Sequence, residues 1–252
     1  VYLYNLTDDK EVLSKNKNQR LPMASLTKIM TVRVALNHIE DLSALAPVDL
    51  EAYYRAVDMN ASMAGFFGGE ATTFRDLLYA TMIKSAGEAA DSLAINVAGS
   101  MDNFVALMNK EAEDLGLTNT SYANADGMDD PKNYQSARDC AMLIKESLND
   151  GNFRAIFTKK DFVTTPTAEH PEGLYIDSTI FTPLSKYEQN GFEIIGGKSG
   201  TTDDAGLCWA TLAEKDGKEY ICVIMGIAYD DIDNLHEDQI IETLRIYESI
   251  GD

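Results

Sequence analysis

The chain is poor in the residues that hold small or metal-bound proteins together. Of its 252 residues only three are cysteine, Cys140, Cys208 and Cys222, and three are histidine, His38, His170 and His236. The cysteines are odd in number and widely spaced, with no CxxC pair, which speaks against a disulfide framework and against a zinc site. No histidine has a partner at metal-ligand spacing. Cys208 and Cys222 lie in apolar, strand-like runs, where a thiol behaves as a small hydrophobe. A Ser-His-Asp triad has no local motif behind it.

Positive charge is the second shortage. The chain carries 21 Lys and Arg against 41 Asp and Glu, a net charge of −20. There is no basic stripe to neutralise phosphates, so nucleic acid is excluded as a partner. The same charge disfavours electrostatic docking to anionic lipid. No apolar run reaches the roughly 18 residues that a membrane helix needs, and no signal-peptide pattern stands in the residues given. Repeats, low-complexity tracts and Pro/Ser-rich linkers are also missing. What remains is a soluble acidic chain, 45% hydrophobic, long enough to bury a sizeable core.

Residues 1–5 and 11–14 read as a hairpin around Asp8-Asp9. Residues 25–39 read as a buried helix. The stretch from about 50 to 160 is mostly helical, with stripes at Phe74, Leu77, Leu78, Thr81 and Met82, at Ala89, Ala90, Leu93, Ala94 and Val97, and at Phe104, Leu107, Met108 and Leu115. A fourth helix is expected at 136–149, capped by Ser136. The last third changes character. Residues 192–198, 206–214 and 219–228 are strand-like, the last two joined by Asp216-Gly217, a strong two-residue hairpin signal. An amphipathic helix is expected at 235–249. These elements predict an α+β, or mixed α/β, architecture in which the first and last thirds share a sheet.

Ser25-Leu26-Thr27-Lys28 carries the most chemical information. Residues three apart on a helix share a face, so the Lys28 amine can reach the Ser25 hydroxyl within one turn. A serine is a poor nucleophile until a base takes its proton. Spacing alone proves little, since a chain this long holds roughly one Ser-x-x-Lys by chance. A second copy, Ser14-Lys15-Asn16-Lys17, lies in a polar stretch without apolar periodicity. Ser25 instead precedes Leu26, Ile29, Met30, Val34, Leu36 and Ile39, a buried-helix pattern. The competing reading is a helix N-cap.

Two further segments matter. Ser85-Ala86-Gly87 falls between two expected helices, as a turn with an accessible hydroxyl or as a cap. Gly196-Gly197-Lys198-Ser199-Gly200-Thr201-Thr202 puts a cation amid glycines in a strand. Glycine in a strand often marks a place where another backbone approaches closely, as a peptide laid along the strand would. Lys198 can neutralise a carboxylate, and Ser199 and Thr201 can hydrogen-bond it. The competing reading is a flexible loop with a surface lysine.

In order, these segments resemble the S-x-x-K, S-x-N and K-T-G motifs of the penicillin-recognising serine enzymes. The likeness extends well beyond them. Residues 20–31, Arg20-Leu21-Pro22-Met23-Ala24-Ser25 through Thr31, resemble the nucleophile segment of the serine D-alanyl-D-alanine carboxypeptidases. So do Leu115–Thr120, Asn124-Ala125-Asp126-Gly127-Met128, Tyr134-Gln135-Ser136-Ala137-Arg138-Asp139, and Gly197–Thr202 with Ala205–Cys208. Two positions depart from the pattern. Ser199 replaces Thr and keeps a hydroxyl. Gly87 replaces the Asn of the second motif, whose amide in the family contacts substrate backbone and the catalytic lysine; losing one such hydrogen bond costs ~0.5–1.5 kcal/mol.

The resemblance implies a β-lactamase/transpeptidase-like fold: an antiparallel sheet flanked by helices with a mostly helical insertion. It implies a single catalytic domain over 1–252, with the sheet part about 1–50 and 175–252 and the helical part about 51–174. It implies a serine carboxypeptidase in which Ser25 is acylated, Lys28 is the base and Ser85 relays a proton, with Lys198, Ser199, Gly200, Thr201 and Gly87 binding substrate, and with no metal or cofactor. The partners implied are a peptidoglycan stem peptide ending in D-Ala-D-Ala and β-lactam antibiotics. The location implied is extracytoplasmic, in a bacterial envelope, with any membrane link through an anchor outside this chain. Two alternatives stand beside this. One is a class A-like β-lactamase, for which Glu169 and Glu172 occupy the right interval but in unlike surroundings. The other is a catalytically weak binding module, motivated by Gly87.

Overall fold

The computed structural model describes residues 1–229 and 237–251. The chain opens with strands β1 (Tyr2–Asn5), β2 (Lys10–Ser14) and the short β3 (Leu21–Pro22). A 3-10 turn at Ala24–Leu26 leads into helix α1 (Thr27–His38), then α2 (Leu50–Asp58) and α3 (Phe74–Tyr79). A π turn at Ala80–Lys84 precedes α4 (Gly87–Ala98) and α5 (Met101–Asp114). Next come β4 (Tyr134–Gln135), α6 (Ala137–Ser147), α7 (Gly151–Phe157), β5 (Asp161–Val163), β6 (Tyr175–Asp177) and α8 (Phe181–Leu184). The chain closes with β7 (Glu193–Thr202), β8 (Gly206–Lys215), β9 (Lys218–Ile227) and α9 (Asp238–Glu248).

The main sheet is antiparallel with strand order β2-β1-β9-β8-β7. The first strand therefore pairs with the last, Tyr2 opposite Val223 and Leu3 opposite Cys222. Alternation along β8 and β9 serves two cores. Cys208, Ala210, Leu212, Ile221 and Val223 face the larger one with α1, α4 and α6, whereas Trp209, Ala213, Cys222 and Ile224 face a smaller one with α8 and α9. Burial on both faces is why these strands are apolar almost throughout rather than at every second residue. Asp216 and Gly217 both take positive φ, 52° and 72°, as a tight primed turn between β8 and β9 requires. The sheet ends on β7, so its outer edge is open among the described residues.

Helix α1 is buried on nearly every side, from Thr27 through Ala35 apart from Arg33. Such a helix needs no polar face, and its polar side chains must find partners inside. Thr31 donates to Ala125 O at 2.7 Å, and Thr27 Oγ1 accepts from Asn133 at 3.2 Å. These bonds fasten the 123–133 loop to the helix. Ser136 caps α6, accepting from Asp139 N at 3.1 Å.

Three expectations need adjustment. The α1 helix begins at Thr27, with Ser25 in the 3-10 turn before it. The stripe from Phe74 to Met82 is interrupted by the π turn, whose widened end brings the Ala86 N–H to Ala80 O at 3.2 Å. The last helix starts at Asp238; residues 235 and 236, expected in it, lie outside the described residues.

Candidate active site

Ser25 caps no helix. The N-cap of α1 is Leu26, and no side chain caps it. The Ser25 hydroxyl instead accepts a hydrogen bond from Lys28 Nζ at 2.9 Å. Lys28 is buried, and its amine also donates to the backbone oxygen of Asp126. The other Ser-x-x-Lys behaves differently. Ser14 is exposed and donates to Glu11 at 2.8 Å, and Lys17 pairs with that same carboxylate. Identical spacing thus yields a nucleophile-like pair only where an apolar helix buries the lysine.

Backbone strain holds the pair in place. Ala24, just before Ser25, has φ +48°, a left-handed conformation costly for a residue with a Cβ. Gly127 lies against it at φ +87°, where an added Cβ would stand 2.1 Å from Ala24 O and 2.9 Å from Ser25 N. Asn124 Oδ1 accepts from Gly127 N at 2.8 Å and fixes that turn. On the other side β7 passes so close that a Cβ on Gly200 would be 3.0 Å from Ser25 N. Glycine at both positions lets two backbones close on the serine.

Lys198 is wholly buried and donates to Ser199 O at 2.7 Å. Burial, and then the neighbouring Lys28, push its amine well below the usual lysine range. Lys28 is also pushed down, by burial, against the pull of Asp126, Asp91 and Glu88. Two buried amines that repel one another do not both hold a proton cheaply.

Ser85 is buried and left-handed, φ 64°, at the end of the π turn. It closes the C-terminus of the π turn but does not cap α4, which begins at Gly87 with Ala86 as an uncapped N-cap. The segment before it is tied to β7: Thr179 N donates to Ile83 O at 3.1 Å, and Ser199 Oγ donates to Thr179 Oγ1 at 2.8 Å.

Gly87 stands apart from the cleft. Its N–H donates to Ser62 O at 2.7 Å, and an added Cβ would meet Ala61 Cβ at 3.1 Å. The segment 59–62 covers it and takes its place in the wall. A cavity of about 480 Å³ opens there, lined by Ser25, Lys28, Asn60, Asp126, Asp129 and Thr201 among others. Glu169 and Glu172 are exposed and do not line it.

Sequence reasoning passed over three charged neighbours of Lys28. Arg55 on α2 pairs with Asp91 on α4 and, at 3.1 Å, with Asp126. Asp91 is pushed up to about 7, by burial and then by Asp126. Glu88 is also raised, chiefly by burial. The one sequence signal that could have pointed there is the Asn124–Gly127 turn chemistry.

The sequence from residue 3 to 228 matches the family described as D-alanyl-D-alanine carboxypeptidase. The chain belongs to that family. It is 30% identical to D-alanyl-D-alanine carboxypeptidase DacF of Bacillus subtilis (strain 168), over 86% of this chain and 54% of that protein. It is 29% identical to DacC of Escherichia coli (strain K12), over 91% of this chain and 56% of that protein. The chain thus spans about half the length of these curated relatives. The crystal structure of the Streptomyces K15 DD-transpeptidase superposes with a TM-score of 0.83 at 27% identity, covering 98% of this chain and 94% of that one. The mixed α/β expectation, an antiparallel sheet with helices, agrees with this neighbour and with the observed sheet.

Proposed function

We propose that this chain is a serine DD-peptidase domain that removes the terminal D-alanine from peptidoglycan stem peptides, and that penicillins acylate it. The observation that carries the reading is the 2.9 Å hydrogen bond from Lys28 Nζ to Ser25 Oγ. It is made by a lysine that burial drives toward the neutral amine, the form able to act as a base.

Ser25 Oγ attacks the carbonyl carbon of the D-Ala-D-Ala bond while Lys28 takes its proton. The tetrahedral oxygen accepts from the backbone N–H groups of Ser25 and Thr201, an arrangement that the close pass of Gly200 supports. The C–N bond then breaks. Ser85 relays a proton from Lys28 to the departing amine. Lys198, with the hydroxyls of Ser199 and Thr201, meets the terminal carboxylate, whose charge favours the protonated form of Lys198. Water then attacks the acyl carbon and gives a proton to Lys28, which returns it to Ser25 Oγ as the ester bond breaks and the shortened peptide leaves. The open edge of β7 suits a peptide laid alongside it. The substrate places the work outside the cytoplasmic membrane, in the cell envelope. Among the described residues no helix is long and apolar enough to cross a membrane.

Intact-protein mass spectrometry after exposure to penicillin, followed over time, tests this reading. A single adduct mapping to Ser25 and missing in Ser25→Ala is expected, with D-alanine released from a stem-peptide mimic. No adduct on folded protein, or one that survives Ser25→Ala, would refute it. One observation favours a second reading, a binding module with slow turnover: the segment 59–62 covers Gly87, where the family carries an asparagine. Peptide binding without D-alanine release would favour that version. A β-lactamase reading gains no support, since Glu169 and Glu172 stand away from the cavity.

A further inference from the structure

Lys28 sits in an acidic pocket, which is a hostile setting for a base that must be neutral. Asp126 approaches it from the 123–130 loop and Glu88 and Asp91 from α4, while Lys198 on β7 and Arg55 on α2 carry the opposite sign toward it. Asp91 and Asp126 are both almost fully buried, and one Asp91 oxygen has no hydrogen-bond partner among the described residues. Arg55 is the shared counter-ion of both carboxylates, and is itself about one-third exposed, lining with Asp91 a cavity separate from the one that holds Ser25. The Asp126 residue it grips is the one whose backbone oxygen accepts from Lys28.

Resting on the acyl-transfer reading above, we propose that Arg55 is a positioning residue for that chemistry: by clamping Asp91 and Asp126 together it holds the Asp126 carbonyl against Lys28 and cancels the negative field that would keep Lys28 protonated. The clamp has two separable jobs. Its geometry sets where the Lys28 amine points. Its charge sets the pH at which that amine becomes a base. The planar fork of arginine suits a group that must reach two carboxylates at once, and a lysine there would keep the charge while losing the fork.

The pH profile of penicillin acylation separates these jobs. In Arg55→Met the acidic limb moves up by about one pH unit or more, a tenfold or greater loss below it, because the negative charge of the Asp91–Asp126 pair then faces Lys28 unopposed. In Asp91→Asn, which keeps side-chain volume, the limb moves down over the range above about pH 7, where Asp91 is ionised. Combining the two returns it toward the wild-type position. Arg55→Lys leaves the limb in place and lowers the rate similarly at every pH. The proposal is overturned if Arg55→Met slows acylation equally at all pH values, or if Asp91→Asn leaves the limb unmoved. The Asp91 arm decides the matter even where Arg55→Met does not fold. Titrating Lys28 by the NMR shift of its 13C-labelled ε-carbon gives the same comparison without activity: a protein that is never acylated, but whose variants shift the Lys28 titration in these directions, defeats the catalytic reading and leaves the Arg55 effect standing.

Discussion

Replacing Gly200 with alanine adds one carbon between β7 and the Ser25 turn. That carbon would lie 3.0 Å from Ser25 N, 3.1 Å from Ala24 Cβ and 3.2 Å from Leu26 N, against ordinary contact of 3.4–4 Å. The strand and the turn must therefore part by roughly half an ångström, at a cost of ~1–3 kcal/mol of stability, as for other added carbons in packed regions. A proposed oxyanion donor is useful only at ~2.7–3.1 Å, and losing one such donor costs about 10²–10³ in rate. A partial withdrawal of the Ser25 N–H should slow acylation by roughly 10- to 100-fold. Stopped-flow acylation by a fluorescent penicillin, beside calorimetry, measures both effects. Gly197→Ala is the matched control. Its Cβ would meet Ala210 O at 2.7 Å, on β8 and away from the Ser25 turn. It should cost at least as much stability, and because it leaves the Ser25 turn in contact it should slow acylation per folded molecule less than Gly200→Ala does. If folded Gly200→Ala acylates at the wild-type rate, or the two variants lose rate equally, the close-approach account is wrong.

Asp91 predicts a pH-dependent stability. Its folded value, about 7, stands above the ordinary 3.8, so the folded state keeps a proton that the unfolded state gives up. Its contribution is whole below 3.8 and is lost as pH rises through 7. Urea unfolding should therefore show Asp91→Asn gaining on wild type between acid and neutral pH, and a constant difference would contradict it. The thiols of Cys208 and Cys222, raised by burial to about 12, keep their protons where unfolded thiols ionise near 9.0. They stabilise fully below 9.0 and weaken the fold as pH rises toward 12, and Ellman's reagent should label the cysteines orders of magnitude faster in guanidinium than in the native protein. Ser136→Ala removes the α6 cap and should cost about 1 kcal/mol by thermal melting; an unchanged melting temperature would deny the cap a role.

The local chemistry was readable because it is local. The Ser25–Lys28 bond spans three residues, the β8–β9 turn two, and the Ser136 cap three. Hydrophobic spacing located most helices and strands, since amphipathic or doubly buried segments declare their period in any short window. It did not locate the π turn. Helical spacing continues through Ala80–Lys84, and only the positive φ of Ser85 and the long-reaching bond to Ala80 O break the pattern. Nor did it show that Gly87 would be covered, because Ala61 and Ser62 reach it through the path of a loop, not through their neighbours in sequence.

By itself, then, the sequence determined which residues carry hydroxyls and amines at helical spacing, which stretches bury themselves, and which family pattern they follow. Tertiary structure alone decided the electrical surroundings of those groups. Asp126 lies 98 residues from Lys28, and Asp91 lies 36 from Arg55. Charge acts through space and dielectric, not along the chain, so whether Lys28 is a base depends on distances that no sequence window contains.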